Sequence, residues 1–257
     1  MVTLDTIGKQ NLRFFVINSK TYFKFYLIKH FILGSVTLSP KASPQEAGQL
    51  ERSILRVQQE VLRMGTLVEE SFRLSHQSLF EGDVNAVQQI VTIERQIDLY
   101  YRQIESNCAT LMTLQAPVAQ DLRKLSAFMQ LVRDLERIGD CAQDLSEMST
   151  KLMKYPNHQL LPEIAEMSEH AQSMLATSLV ALADLDQTAG ARVKEYDDIV
   201  DDAYDRLYHA IAFQKDIPGV VEPILLLGLI IRHLERMADH ATNISQRVTY
   251  IVTGKRN

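Results

Sequence analysis

Apolar residues recur along this chain at alternating spacings of three and four, which predicts long packed helices rather than strands. The first seam is Leu50, Ile54, Val57, Val61, Met64 and Val68. Ser43-Pro44-Gln45-Glu46 stands before it and reads as a capping box with proline at the first helical position. Gly82 predicts the stop, and Asp83 the cap of a second helix over about 83–112. The seam of that helix is Val87, Ile90, Glu94, Ile97, Tyr101, Ile104, Cys108 and Leu111. Ala116-Pro117 breaks the chain. A third helix then runs to about Lys154 with the stripe Phe128, Leu131, Leu135, Ile138, Ala142, Leu145 and Leu152. Tyr155-Pro156-Asn157 marks a boundary.

Beyond that boundary the plan repeats. A helix is predicted from about Pro162 to Leu185, with Gly190 in the break after it. The next covers about 191–213 on the seam Val193, Asp197, Val200, Tyr204, Leu207 and Ile211, and Ile217-Pro218 opens a last helix ending near Gly254. The residues repeat as well as the pattern. Arg133-Asp134-Leu135-Glu136-Arg137-Ile138-Gly139-Asp140 returns 99 residues later as Arg232-His233-Leu234-Glu235-Arg236-Met237-Ala238-Asp239. In the preceding helix Glu94, Asp98 and Tyr101 return 103 residues later as Asp197, Asp201 and Tyr204. The expected fold is all-α, two tandem antiparallel three-helix bundles over 43–155 and 156–257, with residues 1–42 a poorly ordered extension.

Composition agrees with this reading. There is no Trp, and the 10 Gly and 7 Pro fall mostly between the periodic segments. Cys108 and Cys141 form neither a disulfide framework nor a zinc motif, suit a reducing cytoplasm, and read as small buried hydrophobes. Charge is uneven. Residues 1–41 hold six Lys/Arg and one acid, which leaves the remainder at −10. An acidic body is a poor partner for nucleic acid and a reasonable one for cations. Lys20, Lys24, Lys29 and His30 interrupt the apolar run from Phe14 to Leu38, so no transmembrane span or signal peptide is expected there. A membrane-surface anchor of interleaved basic and aromatic residues is the alternative to a bland extension.

The repeated acids carry the chemistry. Glu94/Asp98 and Glu136/Asp140 lie on consecutive helices of the first half, and Asp197/Asp201 and Glu235/Asp239 on the matching helices of the second. Like charges at i,i+4 oppose helix formation by about 0.2–0.5 kcal/mol per pair, so a pattern written twice implies a ligand for the charge. Two ligands compete evenly. Arg133, Arg137, Arg232 and Arg236 would neutralise the acids in an ion-pair network, or the carboxylates would hold a hard cation. The arginine forks also suit an anion such as phosphate. A di-iron oxidase needs Glu-x-x-His on two helices, and none of the seven His has Glu three residues before it. Neither a phosphate-binding glycine loop nor a zinc-type spacing is present.

These acids resemble the PhoU family of phosphate-signalling regulators. So do the Gln115-Ala116-Pro117-Val118-Ala119-Gln120-Asp121-Leu122-Arg123 run before the first motif and Leu62-Arg63-Met64-Gly65, over about residues 48–253. The resemblance implies two three-helix bundles with multinuclear metal clusters on their surface. Its implied ligands are Glu94, Asp98, Glu136 and Asp140, and then Asp197, Asp201, Glu235 and Asp239, for Mg, Mn, Fe or Zn. Asp144 extends the first set, whereas Asn243 stands at the matching place in the second. The implied role is a non-catalytic, cytoplasmic accessory of phosphate transport that represses phosphate uptake and the starvation response. It would bind the transporter's ATPase subunit and a sensor histidine kinase, be peripheral to the inner membrane through them, and form a homodimer or higher homo-oligomer. A metal-dependent helical enzyme and a purely structural scaffold are the alternatives.

Overall fold

The computed structural model describes residues 48–117, 119–215 and 219–255. The predicted capping box at 43–46, the amino-terminal extension, and Ile217 and Pro218 lie outside the described residues. Six helices follow in order: α1 (Gln49–His76), α2 (Val84–Gln115), α3 (Ala119–Leu152), α4 (Leu161–Asp184), α5 (Ala189–Ala212) and α6 (Glu222–Thr253). No strand occurs among the described residues. The fold is all-α, with α1–α3 forming one antiparallel bundle and α4–α6 a second.

The seams do what their spacing requires. Ile54, Val57, Val61, Met64 and Val68 of α1 are buried, as are Ile90, Ile97, Ile104 and Cys108 of α2 and every member of the α3 stripe. α1 runs on through one π-helical turn, Gln77–Glu81, and stops at Gly82, whose φ of +72° is a left-handed cap. Asp83 caps α2, its side chain accepting from the Asn85 amide at 2.9 Å. Burial pushes the Cys108 thiol up to about 12 and the Cys141 thiol up to about 11, so both are unreactive packing residues.

Two boundaries differ from expectation. Gly190 lies inside the first turn of α5, facing Ser245 and Thr249, and not in the break. The break is made instead by Leu185, left-handed at φ +51°, and by Asp186, whose carboxylate accepts from the Thr188 amide at 2.8 Å. The last helix opens at Glu222 with Pro223 in its first turn, later than Ile217-Pro218.

The bundles share one continuous core, to which Val61, Ile97, Leu131, Leu175, Val200 and Leu234 contribute one residue from each helix. α3 and α6 make the broadest helix–helix contact. They run antiparallel, since Asp134 meets His240 at 2.9 Å while Asp144 lies 3.7 Å from His233. α1 also reaches α4, where a Cβ on Gly65 would lie 2.5 Å from Leu179 Cδ2. These contacts hold the two acid-bearing hairpins, α2–α3 and α5–α6, in one body.

Candidate functional site

The first acidic set is built where α2 crosses α3. Glu94 takes a seam position between the buried Ile90 and Ile97, so its carboxylate is pulled towards the core. Gly139 of α3 makes room for it. A Cβ there would stand 3.1 Å from Glu94 Oε2 and 3.1 Å from Ile97 Cδ1. Glu94 Oε2 is buried and has no hydrogen-bond partner among the described residues. Burial, with Asp140, Asp98 and Glu136 repelling further charge, raises the Glu94 carboxyl to about 7. Burial also raises Glu136, reinforced by Asp140 and Asp98 against the pull of Arg137. Asp140 is raised by burial, Asp144 and Asp98, again opposed by Arg137. All four expected residues therefore lie near enough to feel one another's charge.

Cations grip the rim of this set. Arg137 donates to Asp140 Oδ2 at 3.2 Å and lies 3.4 Å from Glu136 Oε2, while Arg102 donates to Asp98 Oδ2 at 2.8 Å. No such partner reaches Glu94 among the described residues, which leaves it as the buried, unanswered oxygen of the group.

The second set repeats this arrangement on α5 and α6. Burial and Asp197 raise both Asp201 and Asp239, and burial and Asp239 raise Glu235. Asp197, only 8% exposed, accepts from Lys194 at 3.0 Å and from the Thr242 hydroxyl at 3.1 Å, while Arg232 donates to Glu235. The carboxyls of each set are raised by acids on their own pair of helices and by none from the other repeat, so the described residues carry two acidic centres.

The donor chemistry fits a hard cation. Each set offers four carboxylates, and in the first the orphaned Glu94 oxygen lacks the partner that a buried carboxylate requires. The side chains are not assembled around an ion, however. Among the described residues no three His, Cys, Asp or Glu stand in an arrangement that could hold one. Four of these carboxylates are instead paired with cationic side chains: Asp98 with Arg102, Asp140 with Arg137, Asp197 with Lys194 and Glu235 with Arg232.

Two features of the site escaped the sequence reading. Gly139 was recognisable in the repeat itself, since the longer Glu94 pairs with Gly139 while the shorter Asp197 belongs with Ala238. Glu60, 8% exposed, accepts from the Gln103 amide at 3.4 Å and the Asn107 amide at 3.1 Å. No periodic signal marked it.

An all-α molecule of two motif-matched hairpins, each carrying a carboxylate set, is a tandem-repeat helical-bundle protein. The chain belongs to the PhoU family, whose domain matches it twice, at residues 61–149 and 164–248. It is 62% identical over 222 residues to the "Phosphate-specific transport system accessory protein PhoU homolog" of a Synechocystis species, covering 86% of this chain and 99% of that one. The crystal structure of PhoU from Pseudomonas aeruginosa resembles it with a TM-score of 0.77 at 30% identity, over 80% of this chain and all of that one. The phosphate transport system regulatory protein PhoU of Streptococcus pneumoniae gives 0.74 at 27% identity, over 81% and 99%. Among the described residues no helix is long and apolar enough to cross a membrane.

Proposed function

We propose that this chain is a non-catalytic accessory regulator of a phosphate-specific transport system. In this reading it restrains phosphate uptake and the starvation response when phosphate is plentiful. It docks on the transporter's ATPase subunit and on a sensor histidine kinase, and shifts each towards its quiescent state by binding that state more tightly. The observation that carries the reading is the near-complete alignment with the Synechocystis accessory protein, over 99% of that protein's length. Deleting the gene should raise phosphate uptake and switch on starvation reporters in high phosphate, and the tagged full chain should co-purify with the ATPase. A deletion strain with normal uptake and a silent reporter would end this reading.

Glu94, Asp98, Glu136 and Asp140 would hold a hard cation in the first bundle, with Asp144 at its edge. Asp197, Asp201, Glu235 and Asp239 would do so in the second. A bound cation there would relieve the carboxylate repulsion and draw both hairpins tight. Elemental analysis of protein loaded with Mg, Mn, Fe or Zn should find metal that falls in Glu136→Gln/Asp140→Asn without loss of helicity. The ion pairs of Arg137 and Arg102 favour a second reading, in which the acids are structural. Equal metal content in wild type and variant would decide for it.

A further inference from the structure

The two repeats share their acids but differ on the face beside them. In the first repeat, α2 and α3 flank an open cleft of about 450 Å³ whose lining includes Tyr101, Glu105, Ser126, Gln130, Arg133 and Arg137 beside Met129. At the matching places of the second repeat stand Tyr204, Tyr208, Leu225, Leu229, Arg232 and Arg236, and Tyr208, Leu225 and Leu229 are exposed. The arginines differ too. Arg232 closes on Glu235. Its counterpart Arg133 makes no ion pair among the described residues, although its charge reaches Glu136, which Arg137 pairs with. Arg133 is exposed and turned to the cleft. The Tyr101 hydroxyl, the Ser126 hydroxyl and the Gln130 amide line the same cleft, and none is engaged by another side chain among the described residues. Simple repetition of a helical scaffold leaves this donor set unexplained.

We propose that this cleft binds a phosphate group, with the Arg133 guanidinium as its cation and Tyr101, Ser126 and Gln130 donating to the remaining oxygens. A guanidinium fork plus three neutral donors matches an anion with three or four acceptor oxygens, more than a carboxylate offers. The cleft is open to solvent, so it has room for a phosphate ester as well as for the free anion. Glu105, and Glu136 beside Tyr101, oppose an anion here, and Glu105 sets the sign of one test. The inference stands apart from the regulatory reading, since a failed co-purification with the transporter leaves it untouched.

The test is isothermal titration of the chelator-treated full chain, so that no cation held by the acidic sets recruits the anion. One arm uses inorganic phosphate and the other a nucleoside monophosphate. Saturable binding is expected, with the tighter arm identifying the free anion or the ester as the natural source. Arg133→Gln should weaken it roughly tenfold or more, the usual effect of losing a charged hydrogen bond. Glu105→Gln should strengthen it, and Arg232→Gln should leave it unchanged. No saturation below about 1 mM in either arm, unaltered binding in Arg133→Gln, or equal weakening by Arg232→Gln would each overturn the proposal.

Discussion

At the scale of single residues, the acidic sites are fitted by volume as well as by charge. Glu94 opposes Gly139, and the second repeat exchanges this pair for Asp197 and Ala238, moving one carbon from the acid to its neighbour. Gly139→Ala gains about 1 kcal/mol of helix propensity. Its methyl, however, meets Glu94 Oε2 and Ile97 Cδ1 together, and such overpacking costs about 1–3 kcal/mol. A net loss on the order of 1 kcal/mol is expected in urea unfolding, and adding Glu94→Asp should recover it. No recovery in the double variant would separate the two positions. Titration gives a second prediction. The folded Glu94 carboxyl is raised to about 7 from its ordinary value of 4.5, so the folded state binds the extra proton. This contribution is fully present below pH 4.5, is lost as pH rises towards 7, and is flat above that. In chelator-treated protein, Glu94→Gln should therefore flatten stability against pH between those limits and raise it at neutral pH. An unchanged slope would show that Glu136 and Asp140 govern the titration instead.

At the scale of elements, the helices were legible because each is long and periodic, and their ends were less so. Asp83 and Gly82 act where the chain predicts, since a capping carboxylate and a left-handed glycine are local chemistry. Gly190 misleads because a glycine is tolerated in a helix when small hydroxyl side chains approach it, here Ser245 and Thr249. Leu185 in a left-handed conformation has no sequence signature, and the adjacent Asp186–Thr188 turn was the readable cue. The four-acid sets were legible through the repeat alone. Their rim cations Arg102 and Lys194 were not singled out, because an arginine or lysine one turn from an acid is ordinary on any helix. The end of α6 carries a sharper test. Gly254 caps it at φ +74°, and a Cβ there would lie 1.8 Å from Arg123 Nη1. The guanidinium of α3 thus lies against the last turn of α6, where a cation favours the helix dipole. Gly254→Ala should cost about 1–2 kcal/mol through left-handed strain and displacement of Arg123, read as a lower Tm of the full chain. A Tm within error of wild type would show that the cap contributes nothing.

At the scale of the whole molecule, the sequence repeat suggests two separable bundles, whereas the packing makes them one cooperative body. α3 and α6 bury their stripes against each other, and Leu131, Leu135, Leu234 and Ala241 belong to the same unbroken core. Polar bonds cross the seam as well. His240 meets Asp134 at 2.9 Å, and His76 meets Ser168 at 3.0 Å. Separating the bundles would expose apolar surface at about 25 cal/mol per Å² and leave these buried groups unpaired. Urea unfolding of the full chain, followed by far-ultraviolet circular dichroism and by tyrosine fluorescence, should give one coincident transition. Its slope should be roughly twice that of a single bundle, because slope scales with the surface exposed. Residues 156–257 expressed alone should be helical but without a cooperative transition, since the α6 stripe would face water. Two resolved transitions in the full chain, or a sharply melting isolated half, would show that α3 and α6 merely touch and that each acidic centre acts on a bundle of its own.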